Sequence, residues 1–109
     1  MAHYVFIESR DPFEFRDAQF LADTATALKK AGNNVTVFLV QNAVLGARKA
    51  ARGSHIPQLA AAHISLLADS FSMRERGIRS EECSAGIQES NIENLVDLVV
   101  QENVKAIWH

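Results

Sequence analysis

HISLLADSFSMRERG, residues 63 to 77, is the stretch on which the fold turns. Its first part, His63 to Ala68, is an apolar run too short for a helix and suited to a buried strand. Asp69-Ser70-Phe71-Ser72-Met73-Arg74-Glu75-Arg76 then reads as the strand's end, a turn and a short helix. Gly77 closes that helix, because glycine takes up the left-handed conformation without a Cβ penalty. A strand that runs straight into a helix is the repeating unit of an α/β protein.

Upstream the unit recurs. HYVFIE (3–8) and VTVFLV (35–40) are short runs rich in β-branched and aromatic residues, and both read as strands. Between them Asp11-Pro12-Phe13-Glu14 reads as a helix start: Asp11 accepts from free backbone N–H groups, Pro12 is preset for the first turn, and Glu14 caps back. Phe13, Phe20, Leu21, Thr24, Leu28 and Ala31 recur at helical spacing, so that stripe is expected to pack on the sheet, with Arg16, Asp17, Asp23, Lys29 and Lys30 on other faces. Gly32-Asn33-Asn34 ends the helix. Residues 43–52 read as a short helix whose last turn carries Arg48, Lys49 and Arg52, and 54–62 as another, capped by Ser54 or entered through Pro57.

Downstream, residues 78–87 form a polar stretch around Cys83 and Gly86 with a short strand at one end. Ser90-Asn91-Ile92-Glu93 is a capping-box pattern, and Ile92, Leu95, Val96 and Val99 follow at helical spacing. Leu98 and Val100 lie off that stripe. This helix is therefore apolar around more than half its circumference, which exceeds what one sheet face needs and implies a subunit interface. VKAIW (104–108) is a final strand, and Trp108 is expected to be buried. The fold class is α/β: a doubly wound, mostly parallel open sheet of about five strands with helices on both faces, as one domain over residues 1–109. In such sheets ligands gather beyond the carboxyl ends of the strands.

Composition narrows the function classes. With 109 residues, 48% hydrophobic and 22% charged, the chain is an ordinary globular domain. A formal net charge of −2 gives no electrostatic reason to bind nucleic acid. No apolar run approaches the roughly 20 residues that cross a bilayer, and the N-terminus lacks a signal-like pattern, so a cytoplasmic protein without membrane partners is expected. Cys83 is the single cysteine, which excludes an intrachain disulfide and fits a reducing compartment. The four histidines share no ligand spacing, so neither a metal nor a cofactor is expected. His3 and His109 stand at strand ends, where a hydrogen-bonded structural histidine is the reading.

The segment ISLLADSFSMRERGI, Ile64 to Ile78, resembles the strand, turn and short helix ending in Arg-Gly-hydrophobic that marks the DsrE/TusD/YchN (DsrE-like) family of sulfur-relay proteins. The order of the other elements agrees over nearly the whole chain. The resemblance implies a homo-oligomer, trimeric or hexameric, whose partners are small sulfur-carrier proteins. It also implies a persulfide-carrying cysteine at the end of the strand before the Arg-Gly helix. Here that position, eight residues before Gly77, is Asp69, which cannot hold a persulfide.

Two functions stay open. In the first, the chain is a binding or scaffold subunit in sulfur metabolism, with Cys83 as candidate catalytic sulfur carrier. Arg74, Arg76 and Arg79 would favour its thiolate, and Glu81 and Glu82 would oppose it. In the second, it is a small-molecule or anion-binding domain without sulfur transfer, whose candidate ligand-binding residues are Asp69, Ser70, Arg76 and, in the loop after the first strand, Ser9. Asp69 can also simply cap the helix that follows. No histidine is placed to make a triad with Ser70 or Ser72.

Overall fold

The computed structural model describes residues 2–13, 17–51 and 53–109. The chain runs β1 (His3–Glu8), α1 (Asp17–Lys30), β2 (Asn34–Leu39), a 3-10 helix (Gln41–Ala47), α2 (Ile56–Ala61), β3 (Ser65–Asp69), α3 (Ser70–Glu75), a 3-10 turn (Ser80–Glu82), β4 (Ile87–Ser90), α4 (Ile92–Val99) and β5 (Val104–Trp108). The five strands form one sheet in the order β4-β3-β2-β1-β5, and every pair is parallel.

That order dictates the layers. From β1 to β4 each strand is laid beside its predecessor in one direction, so right-handed crossovers put all the connecting helices on one face. The return from β4 to β5 runs the opposite way and carries α4 over the other face. The two cores differ accordingly. On the first face, side chains of α1, α2, α3 and the 3-10 helix bury Phe6, Val35, Val37, Leu39, Leu66 and Ala68 of the sheet. On the second, α4 covers Val5, Phe38 and Val40 through Leu95.

Several sequence expectations are corrected. The described part of α1 starts at Asp17, while Asp11 takes the Phe13 N–H in a turn of its own (2.7 Å). The buried stripe of α1 is Ala18, Leu21, Ala22 and Ala25, and Phe13 and Phe20 point to solvent. Small residues win because α1 lies close to the sheet and to α2, where alanine permits an approach that phenylalanine blocks. The helix expected over 43–52 is a 3-10 helix over Gln41–Ala47, and Arg48 is already extended, bridging to Cys83. Arg48 is therefore the C-cap of that 3-10 helix and Lys49 lies beyond it, rather than both standing in a last helical turn. Glu14, Arg16 and Arg52 lie outside the described residues. The strand expected from His63 begins at Ser65, because His63 takes a left-handed backbone (φ 60°) in leaving α2.

α4 is capped by Asn91, whose Oδ1 accepts from the Asn94 N–H (2.9 Å). Ser90, which the capping-box pattern offered for that role, is instead the last residue of β4. Trp108 is 64% exposed at the end of edge strand β5, where α4 packs over the start of the strand at Val104. No helix among the described residues is long and apolar enough to cross a membrane.

Candidate functional site

β3 delivers Asp69 to the carboxyl edge of the sheet, one strand in from β4. There the chain must turn into α3, and Asp69 is its N-cap, with an extended backbone and a side chain folded back on the first turn. Oδ2 accepts from the Ser72 N–H (3.0 Å) and from the Ser72 hydroxyl (2.7 Å). The same hydroxyl accepts from the Gln41 N–H (2.9 Å), which ties α3 to the end of β2. Gln41 is itself in the left-handed region (φ 51°), a strained setting for a residue with a Cβ that the surrounding bonds hold in place.

Arg76 closes the far end of α3. Its Nε and Nη2 donate to Asn42 Oδ1 (3.1 and 3.0 Å) and its Nη1 to the Ser72 carbonyl (3.1 Å). The guanidinium thus belts α3 to the 3-10 helix. Of its five N–H donors three are committed, and Glu75 Oε1 stands 4.0 Å from Nη1. Ser70 opens α3, half-buried beside Asp69. Asp69, Ser70 and Arg76 are in this way brought together around Ser72, Gln41 and Asn42.

Asp69 itself is 2% exposed, and its Oδ1 has no hydrogen-bond partner among the described residues. A buried acceptor left unpaired costs about 1–3 kcal/mol. Chemically the site offers a fixed carboxylate oxygen in want of an N–H or O–H, with a guanidinium at the other end of α3. Removing the carboxylate tests how much of this is structural. Asp69→Ala should cost about 1–2 kcal/mol in thermal or urea unfolding, the usual loss for an N-cap. A change below about 0.3 kcal/mol would mean that the orphaned oxygen cancels the cap.

Ser9 lies elsewhere on the same edge. Its N–H and hydroxyl both donate to the His109 carbonyl (2.9 and 3.1 Å), which places it between β1 and β5 with β2 separating it from Asp69.

Cys83 is buried in the first core among Ala47, Met73 and Ile78. Main-chain bonds hold it there: Lys49 N–H to the Glu82 carbonyl and Ser84 N–H to the Ala47 carbonyl, both 2.8 Å. Its Sγ donates weakly to the Arg79 carbonyl at 3.9 Å. Burial pushes the thiol up from its ordinary range, Glu89 and Glu82 push it further, and the opposing cation is Lys49. Arg79 spends its guanidinium on Glu81 and Glu82, so the arginine support expected for a thiolate is not delivered.

Sequence reading missed Ser72, Gln41 and Asn42. Ser72 carried a signal, since a serine three residues after a capping aspartate can share its bond. Gln41 and Asn42 carried none, because they meet Ser72 and Arg76 only through the pairing of β2 with β3. No group of three or more metal-ligating side chains occurs among the described residues.

Neither a family model nor a curated protein matches this sequence. Shape does find relatives. The YchN protein of Escherichia coli superimposes with a TM-score of 0.88 at 14% identity, covering 100% of both chains. A protein of unknown function from Methanobacterium thermoautotrophicum does so with a TM-score of 0.81 at 16% identity, again over 100% of each. The chain has the DsrE/YchN-like fold, and at these identities the likeness is one of fold.

Proposed function

We propose that this chain is a DsrE-like subunit of a cytoplasmic homo-oligomer in sulfur metabolism, in a binding or scaffold role, with the sulfur-carrying thiol supplied by a partner. The observation that carries the reading is the state of the two residues able to do the chemistry. The strand end where DsrE-like proteins place a cysteine holds a carboxylate, locked onto Ser72. The chain's own thiol is buried and held protonated by its surroundings. Persulfide carriage on Cys83 would require that thiol to leave the core and ionise against burial and two glutamates. Self-association is supported by the outer face of α4, where Ile92, Val96 and Val100 are 51%, 50% and 73% exposed at four-residue intervals. A trimer or hexamer is the expected assembly, with small sulfur-carrier proteins docking on it.

The test is chemical. Native protein incubated with a polysulfide should keep its mass, whereas Asp69→Cys, which puts a thiol at the head of α3, should gain about one sulfur. A wild-type gain that Cys83→Ser abolishes would return the carrier role to Cys83. A second reading, a small-molecule-binding domain without sulfur transfer, is favoured by the unpaired Asp69 Oδ1. It predicts ligands that donate hydrogen bonds rather than anions at that oxygen.

A further inference from the structure

At the other end of the same edge, β1 sends its connection to one face of the sheet while β5 arrives from the other, so the gap beyond these two strands is a topological switch point. Two features meet there. Glu8, the last residue of β1, is 5% exposed and faces His109, one residue past β5. The His109 Nδ1–H donates to Glu8 Oε2 at 2.8 Å and lies 3.1 Å from Oε1, which also accepts from the Arg10 N–H at 3.0 Å. Beside this pair a cavity of about 40 Å³ runs between the carboxyl ends of β1 and β2, the start of α1, the 3-10 helix and α2.

The wall chemistry defines what fits. Ala18, Leu21, Val37, Leu39, Ala43 and Leu59 line it together with Ser54, His55 and Arg10, the last paired with Asp17 at 3.0 Å, and its volume would hold about three water molecules. A hydrocarbon group of a few carbons replaces that water favourably. The wall is stiff where Gly46 meets Pro12, since a Cβ on Gly46 would come within 2.9 Å of the Pro12 ring. Glu8 lines the cavity from the sheet side. A carboxylate is acceptor-only and has about four lone-pair positions, so after its bonds to His109 and Arg10 it can take one more donor. An anion placed at the Glu8 end would be repelled by that carboxylate, while the Arg10 guanidinium is already spent on Asp17.

The geometry points to a second ligand site here, taking a short hydrocarbon chain headed by a primary ammonium, which donates to Glu8 while its carbons fill the cavity. It is separate from the Asp69 cluster and independent of any role in sulfur chemistry. A ligand this small should bind with a Kd on the order of millimolar.

Amide-shift NMR on the full chain decides it, with n-propylammonium, 1-propanol and propionate titrated to about 50 mM at constant ionic strength. Propylammonium should give saturable shifts at Ala18, Leu39, Ala43 and Gly46, with propionate weaker by on the order of tenfold or more and propanol between them. Glu8→Gln should erase the preference for the ammonium, and Ala43→Val should weaken all three. Three results on the wild-type protein would each overturn the assignment, whatever the variants do. These are no saturation with propylammonium, equal or tighter binding of propionate, or shifts confined to residues away from the cavity.

Discussion

Truncating Phe38 to alanine is expected to cost about 3–5 kcal/mol in urea unfolding, the range for a fully buried aromatic that leaves a cavity behind. Against a typical total of about 5–15 kcal/mol, that is enough to leave the single chain marginal. Among the described residues the first core holds eighteen buried side chains, but the second holds only Val5, Phe38, Val40 and Leu95. Phe38 is the largest of those four and is completely buried. The side chains around it, Ile7, Leu67, Leu98, Val99 and Val104, are themselves only partly buried, so α4 should loosen first. Hydrogen exchange of the α4 amides checks this: faster exchange at Leu95 to Val99 than in α1 is the expected pattern. A loss below about 1 kcal/mol would mean that α4 is anchored by something other than this core.

The second large effect concerns assembly. Val96→Glu should reduce the proposed oligomer to monomers in light scattering, with circular dichroism unchanged. Val96 is half exposed in the single chain, so a charge there costs the fold little, within about 0.5 kcal/mol. At a buried subunit contact the same charge is desolvated without a partner and costs several times more. Ile92, Val100 and Trp108, the last 64% exposed, extend the apolar face around it. Phe20→Glu is the control: Phe20 is 70% exposed on α1, over the opposite face of the sheet, and its replacement should leave the mass unchanged. A wild-type protein that runs as a monomer at micromolar concentration would remove the interface, and with it the subunit reading.

How far the fold could be read beforehand differs from element to element. β1 and β5 have the bounds expected of them, because apolar β-branched runs flanked by turn residues leave little choice. β4 was not separable from the polar stretch around Cys83. It is an edge strand of four residues whose Gln88 and Glu89 face water, and edge strands are kept polar for just that reason. The α1 stripe went astray because helical spacing ranks Phe20 as core, while the close approach of neighbouring elements selects alanines. An aromatic at the end of a strand invites a buried reading, but α4 covers β5 at Val104 and leaves Trp108 64% exposed.

The site divides in the same way. Asp69 was legible, since an aspartate between a strand and a helix is a cap whatever else it does. Its bond to Ser72 spans three residues and lay within reach of local pattern. The Arg76–Asn42 link spans 34 residues and the Glu8–His109 pair 101, and such contacts exist only once the strands have found their register. Cys83 could be located in the sequence but not oriented, because its burial follows from the bridge to Arg48, a pairing of two loops.

The strand order has a bearing on biosynthesis. β1 to β4 emerge from the ribosome in the order in which they lie side by side, so a nascent chain can build four-fifths of the sheet as it is made. β5 alone must travel back to the first strand, and α4 travels with it. Until both arrive, one flank of β1 offers its free amides and carbonyls, and Phe38 lies bare to water. The period between the release of β4 and the docking of β5 is when this polypeptide is most exposed to chaperones, proteases and its own copies.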